Sequence, residues 1–295
     1  MGKTGKDKHA EAQSAMEYLM TYGWAILIIA IALVVLFQFG LFSSTTFTGK
    51  AAPGLCSVYR PDGPGTINFI STEGTCNNEI PQYVASFDGS SLISASSSIP
   101  QMSSITMTAW IYMPVIPGNN AGIVGLTPNY CGALSMFPNG GCNIQACMDA
   151  VNPATQAAID SATCVSTNKW YFVAVYSNQD TKIFGVYVDG HSTNSTFSGN
   201  TISANEISIG EFESQGAYFN GYISNIQIYN TALSSNNINA LYLEGIGGAP
   251  VDLQNLVGWW PLNGNANDYS GNNNKGQING GVTFTSSWES GYTQP

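Results

Sequence analysis

The sequence predicts a mainly β protein: a long N-terminal apolar helix followed by a two-sheet antiparallel β-sandwich. Three observations carry this. From Trp24 to Phe42 every position except Gln38 is apolar or glycine. Beyond residue 54 the chain shows little helical patterning. It offers instead many short runs of β-branched and aromatic residues bounded by Gly, Asn, Pro or Ser, which is the pattern of regularly spaced strands.

The helix comes first. Upstream of it lies a short leader carrying Lys3, Lys6 and Lys8, and the polar-to-apolar junction reads Gln13-Ser14-Ala15-Met16-Glu17-Tyr18-Leu19. An ordinary secretory signal is cut after its apolar core, yet no small-x-small site stands at the far end of this one. The junction resembles the class III signal peptide of archaeal type IV pilins. That resemblance implies a leader over residues 1–12, cut by a prepilin peptidase between Ala12 and Gln13, and a transmembrane or filament-core helix over 13–42. It also makes Glu17 an assembly residue, which a neighbour's free Gln13 amine would pair with to set register in a helical homo-oligomer. A carboxylate at the border of an apolar stretch is costly to desolvate without a partner, which suits that role. The plainer alternative is a first-turn Glu favoured by the helix dipole and still wet.

From Ser14 to Phe42 such a helix spans about 43 Å at 1.5 Å per residue, enough to cross a bilayer core with some tilt. Lysines before it and few positive charges close after it put the N-terminus in the cytoplasm and the rest outside the cell membrane. Residues 43–54 (SSTTFTGKAAPG) read as a polar linker.

The sandwich is expected over 55–295. Its strand-like runs include Tyr83–Phe87, Ile105–Met113, Gly122–Leu126, Trp170–Tyr176, Phe184–Val188, Glu206–Ile209 and Tyr222–Tyr229. In the last, Ile223, Asn225, Gln227 and Tyr229 alternate with Ser224, Ile226 and Ile228. Ser234–Leu243 reads as a short helix opened by a Ser cap. The phrases FDGSSL, SITMTAWIYM, KWYFVAVYSN, FGVYVDG, EISIGE and FNGYISNIQIYNTALSSNNINALY occur in that order between Tyr83 and Leu243. Together they resemble the laminin-G-like, concanavalin A-like jelly-roll family. Trp110, Trp170, Phe172, Phe219 and Tyr222 are expected to fill the space between the sheets. LVGWWPLNGNANDYSGNNNKGQINGGVTF, at Leu256–Phe284, resembles that family's opening strands yet stands at the chain's end. It is either a truncated second copy or a displaced set of closing strands, which would make the domain circularly permuted. A fragment of about 40 residues cannot bury a core alone, so closing strands at 256–284 are expected.

The composition fits an external location. Charged residues make up 9% of the chain and its net charge is −10. Loss of the leader would remove Lys3, Lys6, Lys8, Asp7 and Glu11, leaving five positive charges against sixteen acids, a net of −11. No basic patch is available for nucleic acid. The six cysteines read as three disulfides in an oxidising compartment. The turn Pro61-Asp62-Gly63-Pro64-Gly65 makes a hairpin that would pair Cys56 with Cys76. A second turn at Pro138–Gly141 favours Cys131–Cys147 and Cys142–Cys164, with Cys131–Cys142 and Cys147–Cys164 as the alternative.

Candidate site residues are few. Asn265, Asn267 and Asp268 lie in a tight oxygen-rich loop, and the jelly-roll resemblance implies a structural calcium ion that this loop and Asp88 would hold. A plain turn using its side chains for local hydrogen bonds is the alternative. Asn194 heads an Asn-Ser-Thr glycosylation pattern. Glu211 and Glu213 would share a strand face, and His191 is the one histidine left after processing. No acid–base pair held across a cleft emerges, so no catalytic residues and no enzyme are expected. The expected function is a pilin-like surface filament subunit or adhesin presenting a lectin-like domain to carbohydrate or surface glycans. A monomeric membrane-anchored glycan receptor and, behind it, a surface carbohydrase are the competing readings.

Overall fold

The computed structural model describes residues 20, 22–34, 56–76, 79–96, 102, 104–127, 134–138, 141–148, 157–198, 206–212 and 216–295. The chain divides into two units, residues 1–50 and 51–295. In the first, residues 22–34 form helix α1, whose apolar side chains, Trp24 and Ile28 among them, stand exposed. Ala12, Gln13, Glu17 and both ends of the helix expected over 13–42 lie outside the described residues. Among the described residues no helix is long and apolar enough to cross a membrane.

The second unit begins with β1 (Ser57–Tyr59), β2 (Ser71–Glu73), β3 (Val84–Asp88), β4 (Leu92–Ser96) and β5 (Ile105–Tyr112). There follow β6 (Val124–Thr127), β7 (Leu134–Pro138), β8 (Asn143–Met148), β9 (Ala157–Cys164), β10 (Trp170–Asn178), β11 (Ile183–Val188) and β12 (His191–Thr196). The rest are β13 (Glu206–Ile209), β14 (Glu211–Phe212), β15 (Ala217–Tyr218), β16 (Asn220–Tyr229), α2 (Ser235–Glu244), β17 (Leu256–Trp260), β18 (Gln277–Asn279) and β19 (Thr283–Thr285).

Among the described residues two large antiparallel sheets result, beside the two-stranded ribbons β1-β2 and β14-β15. One has the order β12-β11-β10-β5-β16-β3-β19, with β17 on the second half of β16; the other runs β18-β4-β13-β6-β7-β8-β9. Their facing sides supply Ile93, Ile105, Met107, Ile111, Met136, Ile144, Val173, Val175, Val186, Ile207 and Ile209, all buried in one core. This is a jelly-roll sandwich built on strand alternation. The last three strands belong to both sheets: β17 pairs with β16, β19 with β3, and β18 with β4.

The large aromatics sit elsewhere than the sequence suggests. Of the five expected between the sheets, only Phe219 lies there. Trp110, Trp170 and Phe172 are buried in a second cluster on the opposite face of the eight-stranded sheet, with Tyr222 packed against it. That face is covered by α2 (Ile238, Leu241), by the 246–256 segment and by Trp288 near the C-terminus. Strand parity is the cause. Met107, Ala109 and Ile111 take the inter-sheet side, so Thr106, Thr108 and Trp110 must take the other. A sheet covered on both faces also explains why seven of the eight residues of β5 are buried.

β16 departs from simple alternation. Its register with β5 shifts between Ser224 and Gln227, and Asn225 has φ 48°. This bulge lets Ile223, Ile226 and Ile228 all face the core. It also aims Asn225 at the covering layer, where its Nδ2 donates to the Gly248 carbonyl (2.8 Å) and its Oδ1 accepts from the Trp259 indole (2.8 Å).

α2 starts at the Ser234 cap, whose hydroxyl accepts from Asn237 N–H, and stops at Gly245 with φ 83°. Disulfides join Cys56 to Cys76 across the β1–β2 hairpin and Cys142 to Cys164 beside the β8–β9 pair. The second bond rules out the alternative pairing of neighbours in sequence. Cys147 is also disulfide-bonded; Cys131 lies outside the described residues.

Candidate functional site

The connection from β17 to β18 contains the oxygen-rich loop, and Asp268 is its hub. Asp268 Oδ1 accepts the backbone N–H of Trp259 (3.0 Å) and of Ser270 (2.8 Å). Oδ2 accepts the Ser270 hydroxyl and the Asn274 N–H, both at 2.8 Å. Gly271 turns the chain here at φ 78°, and a Cβ would come within 2.9 Å of the Val58 carbonyl. Arg60, just after β1, is 7% exposed and donates through Nε to Ser270 O (2.9 Å) and through Nη2 to Leu253 O (2.6 Å). Burial lowers the pKa of this guanidinium, and the nearby Asp268 charge opposes that shift. The loop, the first hairpin and β17 are thus tied into one polar knot.

The asparagines of the loop divide into two groups. Asn272 donates to Leu256 O (2.7 Å) and Val257 O (3.0 Å) and accepts from Gly65 N–H (2.9 Å). Asn274 donates to Val257 O (2.7 Å), and Asn265 donates to the Tyr269 hydroxyl (3.1 Å) while accepting from Asn267 N–H (2.8 Å). These three are spent on the fold. Asn267 and Asn273 are exposed, and among the described residues neither commits its side-chain amide to a protein partner. Together with Asp268, Tyr269 and Lys275 they line an open groove of about 280 Å³. A polar groove with one aromatic wall and uncommitted amides is suited to hydroxyl-rich ligands. A second cleft, about 40 Å³ and lined by Asn225, Trp259 and Pro261 among others, has room for water only.

Of the expected calcium ligands, Asp268 and Asn265 have little left to offer a cation in this arrangement, while the Asn267 side chain is uncommitted among the described residues. A carboxylate offers about four lone-pair positions, and four donors already occupy those of Asp268. Asn265 Oδ1 is likewise engaged by a backbone N–H. Asp88, at the end of β3, holds its own turn: Oδ1 accepts from Ser90 N–H (2.9 Å) and the Ser90 hydroxyl (3.0 Å). Hydrogen bonds from Ser91 and Ser90 hold the Asp88 carboxyl below its usual range. Among the described residues no cluster of three or more His, Cys, Asp or Glu side chains is placed to hold a metal ion.

The remaining candidates are scattered. Asn194 is exposed on β12, opposite Gly185. His191 is exposed at the start of that strand, its Nδ1 3.1 Å from the Asp189 carbonyl oxygen. Glu211 is buried on β14, and Glu213 lies outside the described residues. Sequence reasoning passed over Lys275, Tyr269 and Asn273. The signal for them was a single cation set in a run of asparagines, which reads as an ordinary turn until its inward and outward amides are separated.

Two stacked antiparallel sheets with a polar-aromatic groove on a surface loop define a lectin-like jelly roll. Residues 87–239, over half of the chain, match the concanavalin A-like lectin/glucanases superfamily, and the chain belongs to that family. The matched span ends before the closing strands and the groove. A candidate carbohydrate binding protein from Bacteroides ovatus ATCC 8483 is similar in structure, with a TM-score of 0.55 at 19% identity. The alignment covers 73% of this chain and 63% of that protein, so the chain spans under two thirds of its length. A heptameric SAP-like pentraxin from Limulus polyphemus superposes with a TM-score of 0.49 at 16% identity, over 68% of this chain and 94% of that one. At such identities the likeness is one of fold. Among curated proteins no match is found.

Proposed function

We propose that this chain is a pilin-like surface subunit or adhesin: an N-terminal helix assembles it, and the sandwich is held outside the cell to bind glycans. The observation that carries the reading is the pairing, in one chain, of a lectin-family sandwich with an apolar N-terminal run behind Gln13 and Glu17. The groove at Tyr269, Asn267 and Asn273 supports recognition of carbohydrate. Its one carboxylate among the described residues, Asp268, is bound up in the loop, which supports binding in preference to catalysis. Disulfides at Cys56–Cys76 and Cys142–Cys164 suit an oxidising exterior. In this reading the subunit waits in the cell membrane with its N-terminus inside, and a prepilin peptidase removes residues 1–12.

The test is the mature N-terminus. Mass spectrometry of the membrane or filament fraction is expected to find a chain that starts at Gln13. An intact leader, or a cut after Phe42, overturns the pilin reading and leaves the sandwich as a domain anchored or released in some other way.

A further inference from the structure

The groove has a chemical preference that its family membership does not specify. Among the described residues the cations are Arg60, Lys169, Lys182 and Lys275. Arg60 is buried on backbone carbonyls. Lys169 lies 3.7 Å from Asp189 and over the Tyr171 ring, and Lys182 lies over the Phe197 ring. Lys275 is exposed on the groove wall and, among the described residues, has no ion-pair partner. In a chain of net charge −10, this ammonium shares its groove with an aromatic ring and two uncommitted amides. Among the described residues the only acid lining the groove is Asp268, whose oxygens accept from four donors, with the Arg60 charge nearby. Arg60 offsets the Asp268 charge from the buried side, which leaves Lys275 as the exposed charge at the groove mouth.

We propose that this groove recognises carboxylate-bearing sugars, such as the uronic acid units of an acidic polysaccharide. Lys275 holds the sugar carboxylate through a charge-assisted hydrogen bond. Tyr269 flanks the apolar side of the ring, and Asn267 and Asn273 exchange hydrogen bonds with its hydroxyls. The inference deepens the glycan-binding reading above and rests on it. Because Lys275 is exposed, its contribution is modest and salt-sensitive: an exposed ion pair is worth up to about 1 kcal/mol, or about fivefold in affinity. At physiological ionic strength charges beyond about 8 Å are largely screened, so the local ammonium outweighs the distant acids.

The full-length protein in detergent is titrated against oligogalacturonate, oligoguluronate, a hyaluronan fragment and sialyllactose, each beside its neutral methyl ester. At least one acid is expected to bind threefold to fivefold tighter than its ester. That preference is expected to disappear in Lys275→Gln and to shrink at high salt. Asn273 has φ 62°, so Asn273→Gly removes an amide without straining the turn, and it is expected to weaken acid and ester alike. Thermal melts of both variants are expected to match the parent. Esters that bind as well as every acid, or an acid preference that survives Lys275→Gln, overturn the inference while the lectin reading stands. Binding of no sugar in either form removes both.

Discussion

At the scale of single residues, the main lesson lies in Asp268. A carboxylate surrounded by asparagines reads in sequence as a metal ligand, and the loop was indeed legible as oxygen-rich. Its direction was not, because the donors come from Trp259, Ser270 and Asn274, and only the fold decides which face of the carboxylate they meet. Asp268→Ala is expected to leave three backbone N–H groups without that acceptor. At roughly 1 kcal/mol per lost bond the cost is about 2–4 kcal/mol, or on the order of 5–15 °C in Tm for a domain of this size. Asp268→Asn is expected to do little better, since its amide would turn donors toward donors. Chelator is expected to leave the parent's melt unchanged. A melt that chelator lowers and calcium restores would reinstate the cation, and an Asp268→Ala variant as stable as the parent would deny the knot its role.

At the scale of elements, the strand phrases were legible because β-branched and aromatic runs between turn residues carry their own signal. The side on which each bulky residue lands was not. The aromatics of β5 and β10 sit under α2 because the covering layer comes from residues 233–292, far along the chain, and periodicity in one strand cannot report a second buried face. The bulge at Asn225 hid the inward set of β16 for the same reason: it moves the parity of half a strand without changing composition. The closing strands are where this matters for stability. β17 brings Trp259 and Trp260, the tail brings Trp288, and all three are at most 2% exposed. Deleting everything after Gly248 removes them along with β18 and β19. At about 3–5 kcal/mol for each large core side chain the loss exceeds 5 kcal/mol, comparable to a whole domain's stability. The truncated protein is expected to show no cooperative melt and to lose near-ultraviolet circular dichroism. A truncated chain that melts near the parent's temperature would mean that the terminal strands decorate a sandwich already complete without them.

At the scale of the whole molecule, two parts of the chain obey different solvents. The sandwich buries most of its apolar side chains between and above its sheets, Phe69 and Val115 being exceptions, while α1 exposes Trp24, Ile28 and Ile31 together. Surface that apolar calls for a cover, and the proposed filament supplies one, since neighbouring helices would bury each other's faces. In that proposed filament Glu17 would lie at the border of a packed apolar bundle. A carboxylate taken there stays charged only with a partner, and the amine of Gln13 on the next subunit is the partner that processing would create. The hydrogen-bonded charge contact is worth roughly 1.5–3 kcal/mol, more than tenfold in the equilibrium for adding a subunit. Glu17→Ala leaves the apolar run intact, so the variant is expected to fractionate with membranes in normal amount, to be processed at Gln13, and to give at least tenfold fewer filaments. Glu17→Gln keeps the volume and loses the charge, and is expected to behave like the alanine variant. Full filament yield from either would show that the carboxylate sets no register, and an unprocessed Glu17→Ala chain would move its role from assembly to recognition by the peptidase.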